Sequence, residues 1–307
     1  EKVRPDAVHV TTPPTSHFRL ALDALDAGAH VIVEKPATST LPELETLVRR
    51  AREVDRHLVE DYNYVFNHAT REILRRIETG EFGAVIHVEV LICLDILGPS
   101  GFADPNSPHP ALGLAGGAIA DFLPHLASLA HTFVGPHRTA QTVWRKRKAS
   151  PLPFDEFRAL VDAERGTAAL GFSSSAQPDA FWLRVYGERM QATANLFETR
   201  LTFDGPRNVP KPLRPFFSGL EEGKAIRRAA LTTLLAGRKA DEDMTLDLKD
   251  KAGAAKKADV KVVMTPRLIG LVDQSLLINK ILVDLRGRLE QPGDPITDSV
   301  MRLNLAV

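Results

Sequence analysis

The sequence predicts an α/β protein in which a parallel sheet comes first and a larger, mainly antiparallel open sheet follows. Strand and helix signals alternate over the opening stretch to about Val59, the grammar of right-handed βαβ crossovers. From Ala84 onward strand-like runs dominate, several separated by short polar turns. At 307 residues and 44% hydrophobic content, the chain is long enough for two domains and a sizeable core.

In chain order, Asp6-Ala7-Val8-His9-Val10-Thr11 reads as a buried strand that stops at Thr12-Pro13-Pro14. A helix is expected from about Ser16, with Phe18, Ala21, Leu22 and Leu25 on one face and Gly28 as a left-handed cap. The next strand, Ala29 to Val33, runs into Glu34-Lys35-Pro36. Thr40-Leu41-Pro42-Glu43 has the spacing of a capping box with proline in the first turn, and Leu44, Leu47, Val48, Ala51 and Val54 form the stripe of the helix that follows. A strand at His57 to Val59 and a helix from His68 to Thr79, ending at Gly80, complete this part. Further on, Ala84 to Leu94, Thr139 to Trp144, Trp182 to Tyr186 and Arg200 to Phe203 read as strands, and Phe157 to Ala163 pairs with Thr167 to Phe172 across Glu164-Arg165-Gly166. Residues 205–215 are expected to be a proline-rich loop, 238–261 a charged excursion, and the stretch after Pro266 a helix that returns to the core.

Lys+Arg and Asp+Glu balance at 39 each, which gives no electrostatic case for a nucleic acid or an anionic membrane as partner. No apolar run approaches the ~18 residues of a spanning helix, and no basic-then-apolar leader opens the sequence. Cys93, the only cysteine, lies in an apolar run; that excludes an internal disulfide framework and fits a core residue in a reducing compartment. A cytoplasmic protein is the expectation.

Three clusters could carry chemistry. Thr11, Thr12 and Pro13, with His17, stand at the carboxyl end of a parallel strand, where open α/β sheets bind ligands. Lys35, after Glu34 and before Pro36, ends the next strand and can hold a hydroxyl oxygen and stabilise a developing alkoxide. Asp121 and His125, four residues apart, share a face if the segment is helical; the imidazole can act as general base and the carboxylate can orient it. Pro124 places the expected helix start nearby, with Gly116-Gly117 as the tight loop before it. Taken singly, each cluster also reads as an ordinary strand-to-helix turn, a solvated lysine, or a capping aspartate beside a satisfied core histidine. His109 and His131 are alternative bases that no spacing favours. The lone cysteine and scattered histidines give no zinc-ligand spacing, so no metal is expected, and no serine stands in a Gly-x-Ser-x-Gly elbow.

Taken together, Asp6 to Pro13 with His17, Ala27 to Pro36, Asn63-Tyr64-Val65-Phe66 and the glycine-led Asp121/His125 motif resemble the Gfo/Idh/MocA family, the glucose-fructose oxidoreductase and inositol dehydrogenase superfamily. The resemblance covers most of residues 6–203. It implies a partial Rossmann-like sheet (residues 1–64) followed by an α/β substrate and oligomerisation domain (65–307) whose last helix packs back on the first. It implies NAD or NADP as cofactor, a sugar-like or cyclic polyol substrate, and a homo-oligomer formed through the open sheet face. It also implies a catalytic group of Lys35, Asp121 and His125, with Thr11, Thr12, Pro13, His17, Glu34, Lys35 and Asn63 around the cofactor. Val65 departs from the family pattern, standing where many relatives carry arginine.

The family opens with a strand, a glycine-rich turn and a helix, whereas no Gly-x-Gly occurs in this sequence. Asp6-Ala7-Val8 corresponds to the family's fourth strand. The expectation is therefore an N-terminally truncated excerpt lacking at least one βαβ unit of ~30 residues, which binds dinucleotide poorly or not at all and is inactive alone, the dehydrogenase activity belonging to the parent protein. Two other functions fit the same resemblance: a non-catalytic dinucleotide or sugar sensor, and a cofactor-assisted lyase or glycosidase.

Overall fold

The computed structural model describes residues 4–236, apart from 99–100, 102, 105–106, 109–116, 148–149, 199 and 207–208. Strand β1 (Ala7–Val10) leads into helix α1 (Pro14–Asp26), then β2 (His30–Glu34), α2 (Leu41–Glu53) and β3 (Leu58–Asp61). The three strands form one parallel sheet in the order β1-β2-β3, with Val8 opposite Val31 and Val31 opposite Leu58. Alternation decides the faces. Val10, Val31, Val33 and Leu58 are buried in one core with Ala21 and Leu25 of α1 and Leu44, Leu47 and Ala51 of α2. On the other face His9 is exposed and His30, Ile32, Glu34 and Asp61 are half-buried. Both marks of the α2 capping box are present: Glu43 N–H donates to Thr40 Oγ1 at 3.4 Å, and Thr40 N–H donates to Glu43 Oε2 at 3.0 Å.

A 3-10 turn at Asn63–Phe66 leads into α3 (His68–Glu78), whose first turn is capped by the Asn67 side chain accepting from Ala69 N–H. After β4 (Val85–Cys93) and the short pair β5 (Ala103–Asp104) and β6 (Ser107–Pro108) comes α4 (Ala118–Val134). Strands β7 (His137–Arg145), β8 (Glu156–Ala163), β9 (Thr167–Ser173), β10 (Ala180–Gly187), β11 (Gln191–Asn195) and β12 (Arg200–Asp204) follow, then α5 (Arg214–Ala236). A seven-stranded sheet runs β12-β11-β10-β4-β9-β8-β7; only β4 and β9 pair in parallel, and the other neighbours are antiparallel. Its inner face, including Val88, Val90, Phe157, Leu170, Phe181 and Leu183, is buried with Leu123, Leu126 and Ala130 of α4 and Ile73 of α3. The outer face stays open among the described residues, with Val143 and Leu160 more than half exposed.

The α/β class, the parallel-then-antiparallel order and the β8–β9 hairpin agree with the sequence reading, while four details differ. Helix α4 begins at Ala118 and carries Pro124 in its interior. Proline removes one intrahelical donor, but the helix is buried along most of its length and is held by packing. Gly117, at φ 63, makes the reversal into it. Strand β11 and helix α5 were not expected, and α5 begins inside the expected proline-rich loop, with Pro215 in its first turn where proline is tolerated. Cys93 is half-buried rather than enclosed. The charged stretch 238–261, the helix after Pro266, His109 and Gly116 lie outside the described residues. No described helix is long and apolar enough to cross a membrane.

Candidate active site

The carboxyl ends of β1, β2 and β3 carry the chain into three turns, and those turns hold most of the residues singled out above. Thr11, Thr12 and Pro13 are exposed after β1. Thr12 and Ser16 share a hydroxyl bond of 2.7 Å, and Ser16 Oγ donates to Pro13 C=O, so the turn is fixed before α1 begins. Glu34 ends β2 half-buried, and Asn63 opens the turn after β3. His17 differs from its neighbours. Its ring is fully buried, with Nδ1 2.8 Å from Pro36 C=O and Nε2 2.5 Å from Thr12 C=O, so it braces the turns from behind and presents no surface to a ligand.

Lys35 crosses from the end of β2 to α4. Its Nζ donates to Asp121 Oδ1 at 2.9 Å and to the Asp121 carbonyl at 3.1 Å, and the two side chains are only 16% and 18% exposed. Asp121 is in the first turn of α4, where the helix dipole favours a negative charge. Its carboxylate bonds the lysine, not the imidazole expected from the sequence. His125, one turn further on, is buried; Tyr64 meets it edge-on at 4.9 Å between ring centroids, and its Nδ1 has no hydrogen-bond partner. Burial first, then the positive charge of Lys35, lowers the His125 pKa to about 3, so the ring is neutral at physiological pH. Tyr64 in turn packs edge-on against Phe181 at 4.5 Å and faces Phe197, making an aromatic wall behind the histidine. Val65 packs against both hydrophobic cores, an apolar joint where the family pattern has arginine.

A second buried polar atom, Asn63 Oδ1, also lacks a partner. Orphaned buried acceptors are rare, and two in one neighbourhood mark a place that gains by receiving a polar ligand. With the exposed hydroxyls of Thr11 and Thr12 beside it, this corner offers polar groups to a ligand at the carboxyl edge of the parallel sheet. Glu60 and Tyr62, on β3 and just after it, were not singled out from the sequence, although a carboxylate at a core-facing position of an apolar strand is a visible signal. His9, Glu34 and Asp61 come together on the uncovered sheet face with one ligand atom each within 4.8 Å of the others. Exposed acidic groups gather in this way without an ion, and no metal site is assigned to them.

Comparison with known proteins agrees with this geometry. Residues 1–62 match the Gfo/Idh/MocA family, described as an oxidoreductase family with an NAD-binding Rossmann fold. An uncharacterized oxidoreductase of Synechocystis sp. is 26% identical over 200 residues, 60% of this chain and 53% of that protein. The D-glucoside 3-dehydrogenase of Escherichia coli is 31% identical over 83 residues, 27% of this chain and 24% of the other. Among solved structures, an inositol dehydrogenase homologue from Azotobacter vinelandii, complexed with NADH and myo-inositol, superposes with a TM-score of 0.54 at 24% identity, covering 67% of this chain and 54% of that one. The chain thus spans about half the length of its Synechocystis relative. A parallel sheet ending in Glu34-Lys35-Pro36, a lysine held by the first turn of a distant helix and an opening segment that matches Gfo/Idh/MocA proteins make residues 1–62 similar to that oxidoreductase family.

Proposed function

We propose that the protein is an NAD- or NADP-dependent oxidoreductase acting on the secondary hydroxyl, or the corresponding ketone, of a sugar-like or cyclic polyol substrate. The observation that carries this reading is the convergence of Lys35 and Asp121, joined at 2.9 Å, with the buried neutral ring of His125. Thr11, Thr12, Pro13, Glu34, Lys35 and Asn63 are the residues that would hold the cofactor's nicotinamide side. When bound, nicotinamide supplies or accepts the hydride.

The chain's own groups handle the oxygen and its proton. The His125 imidazole, unprotonated at neutral pH, is the group placed to accept the hydroxyl proton; the burial that keeps it neutral also makes it a weak base, so the transfer depends on Lys35 acidifying the substrate hydroxyl. Lys35 Nζ donates a hydrogen bond to the same oxygen and stabilises the negative charge that develops there. Asp121 holds Lys35 in place through the bond described above, so the ammonium does not have to be ordered at the moment of reaction. The aromatic wall of Tyr64, Phe181 and Phe197 keeps water from one side of the histidine.

The activity is read by incubating the protein with NAD or NADP and a panel of pyranosides and inositols, following the reduced nicotinamide and the product together. Net cofactor reduction with a ketone product supports the dehydrogenase. Bond cleavage without net cofactor change points to a lyase or glycosidase, and dinucleotide binding with neither points to a sensor. The sequence contains no Gly-x-Gly phosphate loop, so direct titration with NADH and NADPH by fluorescence belongs beside the assay. Weak binding by the 307-residue chain is the expected result.

A further inference from the structure

The peptide that follows Lys35-Pro36 is gripped at both of its polar atoms by buried ionisable side chains from different elements. Pro36 C=O faces Nδ1 of His17, on α1, at 2.8 Å, and Ala37 N–H donates to Glu60 Oε1, on β3, at 3.0 Å. Each grip has a second anchor: His17 Nε2 on Thr12 C=O at 2.5 Å, and the Tyr62 hydroxyl donating to Glu60 Oε2 at 2.5 Å. His17 is 0% exposed, Glu60 7% and Tyr62 8%. Carbonyl oxygens only accept, so in either tautomer the His17 ring donates to one of them. When ionised, the Glu60 carboxylate accepts from both the peptide N–H and the phenol, and its charge strengthens the bond from Ala37.

We infer that His17 and Glu60 are positioning residues for Lys35: from opposite ends they clamp the Pro36–Ala37 peptide and so fix the direction in which the lysine ammonium leaves β2 toward Asp121. The inference rests on the proposed catalytic role of Lys35. It makes the hold on the lysine depend on pH. The groups around Glu60 are Tyr62 on its own segment, the Ala37 N–H, and Lys35 and Glu34 at the end of β2. Burial has the largest effect and pushes the Glu60 carboxyl up to about 7; the Tyr62 and Ala37 bonds and the Lys35 charge pull it down, and Glu34 pushes it up. Below that pH the protonated carboxyl must donate one hydrogen and loses an acceptor position, which slackens the grip on Ala37.

The test is a pH titration of the full chain by NMR, with uniform ¹⁵N and ¹³C-labelled lysine, following the Ala37 amide proton and the Lys35 Cε signals. Both are expected to move in one shared step with a midpoint near neutrality, the Ala37 proton shifting downfield as pH rises. Glu60→Gln, which is isosteric and cannot ionise, abolishes the step in both signals. Tyr62→Phe leaves the Ala37 bond but removes a donor to the carboxylate, and moves the midpoint upward by about one pH unit. A step that persists in Glu60→Gln, a Lys35 signal indifferent to Glu60, or an unchanged midpoint in Tyr62→Phe overturns the clamp. Turnover separates this from the reading it rests on. If the titration behaves as stated while Lys35→Met keeps full activity, the clamp stands and the catalytic role of Lys35 falls.

Discussion

Lys35 and Asp121, 86 residues apart in sequence, are joined twice, from Nζ to the carboxylate at 2.9 Å and from Nζ to the carbonyl of the same residue at 3.1 Å. A lysine held by both the side chain and the backbone of a helix's first turn loses much of the rotamer freedom it would have in solvent. The double attachment also ties the end of the parallel sheet to the helix that packs on the larger sheet. In the intact dehydrogenase, Lys35→Met is therefore expected to lower turnover by orders of magnitude while changing the NADH dissociation constant by less than about threefold. Steady-state kinetics with a parallel NADH titration checks this; unchanged turnover removes Lys35 from the chemistry.

Replacing Asp121 separates positioning from charge. In Asp121→Asn the side-chain oxygen still accepts from Lys35, but the ion pair and the favourable charge at the α4 N-terminus are lost. The expected outcome is a stability loss of about 1 kcal/mol, measured by urea unfolding, and a larger proportional fall in kcat than in KM. A fall confined to KM marks Asp121 as a binding group alone.

His125 makes the fold sensitive to acid. Its folded pKa, about 3, lies below the ordinary 6.5, so between those values the unfolded chain binds a proton that the native one does not. The stability this group contributes is complete above about pH 6.5 and is lost as pH falls toward 3. Unfolding at pH 4 and at pH 7 should show His125→Asn losing less stability on acidification than the native protein, by a few kcal/mol on an order-of-magnitude reckoning. Equal slopes for the two proteins remove the ring as the source.

Glu60 works in the opposite sense. Its folded pKa is raised to about 7, so the native state keeps a proton that the unfolded state releases from about 4.5 upward, and stability falls as pH rises through that window. Between about pH 4.5 and 6.5 this fall opposes the rise assigned to His125, so Glu60→Gln should turn a nearly flat stretch of the thermal-unfolding curve into a rise with pH. His125→Asn should leave the fall exposed over the same window.

What the sequence revealed and what it hid follow from where the information lies. Thr40 and Glu43 announce the start of α2 because the capping bonds are local, and Leu44, Leu47 and Ala51 mark its buried face because one face meets one core. Strand β11 went unseen because its inward residues are Ala192 and Ala194, too small to stand out against Gln191, Thr193 and Asn195. Helix α5 was masked by the prolines before it and by Gly219 and Gly223 within it, which blur any helical period. At the site, Lys35, Asp121 and His125 were legible as residue types, but the pairing was not. Which base the carboxylate meets is decided by the packing of α4 on the large sheet, and no local spacing encodes that.

Gly117 is where that packing can be tested without touching a chemical group. Its φ of 63 lies in the left-handed region, and a Cβ there would come within 3.2 Å of Pro153 Cγ. Alanine at this position meets both a backbone penalty of roughly 1 kcal/mol and a crowded neighbour that must give way. The relief open to the chain is to unwind or shift the first turn of α4, and Asp121 is in that turn. A shift of that turn pulls the carboxylate away from Lys35, whereas His125, deeper in the buried part of the helix, keeps its place. Gly117→Ala should therefore reproduce the kinetic signature of Asp121→Asn, with lower kcat, and should leave the acid limb assigned to His125 unaltered. If the variant loses stability but keeps native turnover, the lysine contact does not depend on how α4 begins, and the ammonium is placed by the end of β2 alone.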